Sequence, residues 1–114
     1  MKQEKIENMK REFMALQDSL DIISGKWKLK IMAVLCQGEF RFSEIEKVIP
    51  DITPRMLSKE LKILVQNKLV IRKVYDYTPV LVTYTLDDYG MTLQPVIQEL
   101  VKWGIKHRQT IFNS

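Results

Sequence analysis

Ile6, Met9, Phe13, Leu16, Leu20 and Ile23 follow one another at alternating steps of three and four residues. That spacing draws a narrow apolar stripe along a helix, with charged and amide residues on its other sides. The helix is expected to break before Ser24-Gly25. A long striped helix at the end of a small domain needs something to cover it. The cover is either its own domain or, the better reading here, a seam shared with a second chain. Ser24 is a candidate cap for the next helix, expected from Lys26 to Cys36. Its apolar residues Trp27, Leu29, Ile31, Met32, Val34 and Leu35 surround most of its circumference, so this helix should be central. Gly38 should end it, and Phe40-Arg41-Phe42 alternates like a short strand.

The pattern then tightens. Ser43 followed three residues later by Glu46 has the form of a capping box, opening a short helix to Ile49 that Pro50 stops. Pro50-Asp51-Ile52 is a turn. Thr53 is the right residue to cap a following helix over 53–67, and Pro54 sits where a missing N–H costs nothing. Two helices joined across so short a turn make a helix-turn-helix. Val70–Tyr75 and Val80–Leu86, rich in Val, Ile, Tyr and Thr, are expected strands joined by a turn at Asp76–Pro79. A hairpin over 70–86 behind the second helix is the wing of a winged helix. A last helix should start at Leu86-Asp87-Asp88 and carry Leu93, Ile97, Leu100, Val101 and Trp103 toward Ile111. Pro95 must either lie in a first turn of this helix or kink it.

On a helical wheel centred on Leu57, Leu61 and Leu64 fall within about 40° of it. Arg55, Lys59, Lys62 and Gln66 lie opposite, between about 140° and 200°. That outer face holds three cations and an amide and no acid. A helix shaped only for stability would place acids there, because Glu and Lys four apart attract and like charges repel. A solvated back remains the bland alternative, but a cationic helix followed by a hairpin bearing Arg72 and Lys73 suits the major groove of DNA. Lysines would neutralise phosphates. Arg55, near the helix N-terminus, is placed to meet base edges.

Charge distribution agrees with this picture. The chain of 114 residues is net +4. Residues 25–49 and 50–68 are each net +2 and residues 69–86 net +1, whereas residues 1–24 are net −1 and residues 87–114 neutral. The excess lies in the middle. The single cysteine, Cys36, fits a reducing compartment and is read as a small core residue. The charged start MKQEKIENMKREFM is unlike a secretory signal, and no run of about 18 apolar residues is present to span a membrane. Cytoplasmic location is therefore expected. Lone His107 has no partner at metal-ligand spacing, and no phosphate-cradling Gly-rich loop occurs, so neither cofactor nor enzymatic activity is expected. Trp27 and Trp103 are read as core or interface residues.

The stretches SGKWKLKIMAVLCQGEFRFSEI and ITPRMLSKELKILVQNKLVIRKVY, then VTYTL and a late Gly-Ile-Lys-His after Trp103, resemble the HxlR family of bacterial winged-helix transcription regulators. The resemblance covers about residues 13–108. It implies a homodimer, joined through N- and C-terminal helices, that binds a pseudo-palindromic operator in double-stranded DNA. The sequence departs from the family at Met14, where many members carry a cysteine, and at Asn67-Lys68, where Asp-Gly is usual; Asn67 is expected to take the left-handed turn.

The expected fold class is mainly α with a small β-hairpin wing (α+β): one winged-helix domain, with a core of about 24–86 and dimerisation helices of about 1–23 and 87–114. The expected function is that of a dimeric, sequence-specific DNA-binding regulator, a repressor in sign, its effector undefined. The alternative is a winged-helix protein-interaction module without DNA binding. Candidate DNA contacts are Ser43, Thr53, Arg55, Ser58, Lys59, Lys62, Gln66, Arg72, Lys73 and Tyr77. Candidate dimer contacts are Ile6, Met9, Phe13, Leu16, Leu93, Ile97, Leu100 and Val101.

Overall fold

In the computed structural model, which describes residues 1–113, helices α1 (Lys2–Ile23), α2 (Lys28–Leu35), α3 (Phe42–Val48) and α4 (Pro54–Gln66) precede a hairpin of β1 (Val70–Tyr75) and β2 (Leu81–Leu86). Helices α5 (Asp88–Met91) and α6 (Gln94–Phe112) follow. The expected α+β class and its winged-helix order hold.

The core gathers Ile31, Met32 and Leu35 of α2, Ile45 of α3 and Leu57, Leu61 and Leu64 of α4, closed by Ile49, Ile52, Leu69, Val70, Leu86 and Ile97. Each fully buried aliphatic side chain contributes roughly 1.5–3 kcal/mol. The strands pair antiparallel from Val70 opposite Leu86 to Tyr75 opposite Leu81, with Arg72 opposite Tyr84 and Lys73 opposite Thr83.

Several boundaries differ from expectation. Ser24 does not cap α2. Its N–H donates to Leu20 O at 2.8 Å, so it closes α1, and Gly25 turns the chain with φ +100. Ile31 N–H then bonds Trp27 O, which makes Trp27 the residue from which α2 starts. The capping box at Ser43 and Glu46 is displaced: α3 begins at Phe42, and Glu44 Oε1 accepts the Arg41 N–H at 2.7 Å. Ser43 therefore lies inside the first turn. Phe40 makes a single bridge to Tyr84 rather than a strand. Val80 stays outside β2. The left-handed residue after α4 is Lys68, φ 64, and not Asn67, φ −83. The last helix is two helices: Asp87 caps α5 by accepting Tyr89 N–H, and Pro95 lies in the first turn of α6.

The outer helices project from this core. The radius of gyration is 17.6 Å and the molecule measures 65 × 38 × 22 Å. A compact chain of this length would have a radius of about 13 Å. No residue of α1 is buried; Phe13 is 63% and Leu16 56% exposed. On α6 Leu100, Val101 and Trp103 are exposed, Trp103 stacking on His107 at 4.9 Å. Trp27, by contrast, packs against the core, with the ammonium groups of Lys26 and Lys30 over its ring. Ile97, one of the expected dimer contacts, is 7% exposed and faces its own domain, where α6 docks on α2 through that side. Leu93 is half-buried against the same cluster. Among the described residues no helix is long and apolar enough to cross a membrane.

Candidate nucleic-acid interface

α4 owes its position to both of its ends. Thr53 Oγ1 accepts Met56 N–H at 3.1 Å, and Pro54 occupies the first helical position. At the other end Leu69 N–H bonds Leu64 O and Lys68 N–H bonds Val65 O, a Schellman closure with Lys68 in the left-handed conformation. The closure turns the chain directly into β1. Between these ends Leu57, Leu61 and Leu64 are 0%, 1% and 0% exposed and fix the inner side.

Arg55, Ser58, Lys59, Lys62 and Gln66 all face solvent. The only acid on α4, Glu60, points the other way, to Lys28 of α2, whose Nζ lies 2.9 Å from Oε2. The outer face is thus free of negative charge along its whole length.

The wing completes one side of a groove. Ser58, Lys62, Gln66, Arg72 and Tyr84 surround a depression floored by Leu61 and Val65, of about 340 Å³. Every polar group on its rim can donate a hydrogen bond and two are cationic. A phosphate or a base edge is the natural occupant of such a lining.

The candidate residues are not equivalent in this setting. The structure brings Ser58, Lys62, Gln66 and Arg72 together at the groove, with Arg55 and Lys59 on the same helix face. Thr53 spends its hydroxyl oxygen on the cap. Ser43 is exposed on α3, off this helix. Tyr77 is at the wing tip, 59% exposed and stacked on Tyr75 at 5.5 Å.

Lys73 points to the opposite face of the hairpin. Its Nζ lies 3.4 Å from Glu39 Oε1, while the hydroxyls of Tyr75 and Thr83 donate to Glu39 Oε2 at 2.6 and 2.5 Å. These bonds, Thr83 first and Tyr75 next, hold the Glu39 carboxyl below its usual range, and Glu39 in turn pushes the Tyr75 phenol up. Glu39 is placed there by its neighbour Phe40, which exchanges both backbone bonds with Tyr84.

Sequence reasoning missed Tyr84, Glu39 and the Lys28–Glu60 pair. Tyr84 alone carried a local signal, as the aromatic member of an alternating strand. Cys36 is half-buried, and burial pushes its thiol pKa up, which suppresses the thiolate.

Comparison with known proteins agrees with this geometry. A profile described as HxlR-like helix-turn-helix matches residues 22–112. The uncharacterized HTH-type transcriptional regulator YdeP of Bacillus subtilis (strain 168) is 41% identical over 96 residues, 84% of this chain and 75% of that protein. The HTH-type transcriptional regulator YodB of the same organism is 41% identical over 89 residues, 78% of this chain and 80% of that protein. Among solved structures, the redox regulator HypR in its reduced form superposes with a TM-score of 0.81 at 34% identity, covering 88% of this chain and 99% of that one. Reduced YodB from B. subtilis gives 0.71 at 40% identity, covering 78% and 87%.

Proposed function

The chain belongs to the HxlR-like helix-turn-helix family, and from that premise we propose how it works as a DNA-binding transcription regulator: as a homodimer that lays α4 in the major groove of an operator. The observation that carries this is the acid-free outer face of α4 beside the groove that holds Arg72. Arg55 reads a base edge near the helix N-terminus. Lys59 and Lys62 meet phosphates, and Ser58 and Gln66 supply polar contacts between them. Arg72 grips the flanking backbone from the wing, and Tyr77 at the tip follows it. Ser43 and the Thr53 end of α4 meet backbone phosphate.

The second copy covers α1 and the outer side of α6. Ile6, Met9, Phe13 and Leu16 with Leu100 and Val101 form the seam, an apolar surface that, apart from the half-buried Ile6, a lone subunit leaves in water. Two-fold symmetry then sets two α4 helices on successive turns of a pseudo-palindromic operator, about 34 Å apart. An occupied operator excludes other proteins from the same duplex, so repression is the direct outcome. The site of action is the cytoplasm, where Cys36 stays reduced. The relatives' descriptions as transcription regulators lend nothing to the protein-interaction alternative.

Duplex binding by Arg55→Ala and Lys62→Ala, measured against several sequences and salt concentrations, tests the assignment. Arg55→Ala should flatten sequence preference. Lys62→Ala should weaken all duplexes alike and lower the salt slope by about one. Unchanged binding in both variants would remove α4 from the interface.

A further inference from the structure

Glu60 is the one acidic residue on α4, and no cation of its own helix lies three or four positions away: Met56, Leu57, Ile63 and Leu64 occupy those places. Its partner comes instead from α2. Lys28 Nζ approaches Oε2 to 2.9 Å with the two side chains only 16% and 14% exposed. The contact is close without being aligned as a hydrogen bond, so it acts as a point attraction between charges. On the wheel Glu60 flanks the leucine stripe, about 60° from Leu57. The leucines fix which side of α4 faces the core; a paired charge at their flank adds a localised restraint on its rotation that non-directional apolar contact lacks. The Lys28 ammonium also lies near Gly25, the residue that turns the chain between α1 and α2: a Cβ placed there would be 3.9 Å from Nζ.

We propose that Lys28 and Glu60 are positioning residues for DNA reading, setting the rotation of α4 about its own axis and with it the aim of Arg55 and Gln66. The proposal rests on α4 being the reading helix. A largely buried ion pair contributes little net stability against apolar residues of similar volume, and in some proteins such a pair is kept for a unique arrangement, the role assigned to it here. Phosphate contacts tolerate a small roll because flexible lysines follow the backbone. A bidentate base contact does not.

The test separates discrimination from stability. The wild-type full chain selects a preferred duplex from a randomised pool, and its affinity for that duplex is compared with a scrambled duplex of equal length. Lys28→Met/Glu60→Leu, Glu60→Gln and the conservative Lys28→Arg are measured in the same way, with thermal unfolding of each. The double variant is expected to melt at or above the wild-type temperature, bind the scrambled duplex as wild type does, and lose about tenfold in the ratio of the two affinities. Glu60→Gln, which keeps the shape, should lose part of that ratio, and Lys28→Arg should retain it. A double variant or a folded Glu60→Gln with wild-type discrimination overturns the positioning role while leaving α4 as the reading helix. A wild type that selects no sequence removes the reading helix itself, and the proposal with it.

Discussion

Arg72 and Lys73 are adjacent on β1 and serve opposite faces of the wing. Arg72 lines the groove beside Lys62 and Gln66, whereas Lys73 is 3.4 Å from Glu39 and faces away from α4. Arg72 has no acidic partner among the described residues, whereas Lys73 is already engaged. We predict that Arg72→Ala lowers duplex affinity and reduces the slope of log affinity against log salt by about one. Lys73→Ala should leave that slope within error. Equal effects of the two substitutions would show that the hairpin presents both faces to the duplex.

Leu100 and Ile97, three residues apart on α6, are predicted to separate assembly from folding. Ile97 is 7% exposed and Leu100 48%. Leu100→Asp should give a subunit that sediments as a monomer at micromolar concentration with native-like helix content. Ile97→Ala should instead cost about 2–5 kcal/mol in urea unfolding through a core cavity. A dimeric Leu100→Asp protein would move the seam off this side of α6.

The Glu39 cluster is expected to make the wing acid-sensitive. Its carboxyl is held below the ordinary range, chiefly by the Thr83 and Tyr75 hydroxyls. A lowered folded-state pKa means that the ionised form favours the folded wing. The contribution is complete above the ordinary glutamate pKa of about 4.3 and disappears as pH falls through the lowered value. Hydrogen exchange or tyrosine resonances of Tyr75 and Tyr77 should show the wing loosening in that acid window before the leucine core does. Glu39→Gln should loosen it at neutral pH and abolish the acid step. Identical pH profiles for wild type and variant would exclude the carboxylate as the clamp.

Gly90 is fixed by backbone proximity rather than by a turn. A Cβ there would fall 2.1 Å from Leu69 O, the carbonyl that accepts Asp87 N–H at 3.0 Å. Gly90→Ala must push α5 off the start of β1 and strain that bond. We predict a loss on the order of 1–3 kcal/mol in chemical unfolding, since overpacking costs that much in a tight contact. An unchanged midpoint would mean that α5 yields without cost.

What was legible in the sequence is what neighbouring residues decide. The Thr53-Pro54 start, the leucine stripe and the cationic back of α4 are all encoded within fourteen consecutive residues, Thr53 to Gln66. The two strands follow from composition. Ser24 and Ser43 misled because a cap is defined by where the backbone turns, and Gly25 and Arg41 decided that. In the sequence Ile97 groups with Leu100 because α6 is apolar on two sides, and periodicity does not say which one the domain keeps. Lys28–Glu60 and Glu39 with Lys73, Tyr75 and Thr83 join residues more than thirty positions apart, so only the packed chain brings them together. For the same reason the sequence made Lys73 look like a free cation.

The family profile begins at residue 22, so all but the last two residues of α1 precede it; none of α1 is fully buried, and Ile22 at its end packs against the core. The stripe ahead of Ile22 lies outside that core. Bacillus subtilis alone holds YdeP, YybR, YtcD and YodB, all similar to this chain. Under the proposed seam, the α1 stripe would be a place where paralogues sharing one cell are kept apart, since a mismatched stripe would discourage mixed pairs carrying two different reading helices to one operator. The arm that adds least to the fold would then serve as the chain's means of self-recognition.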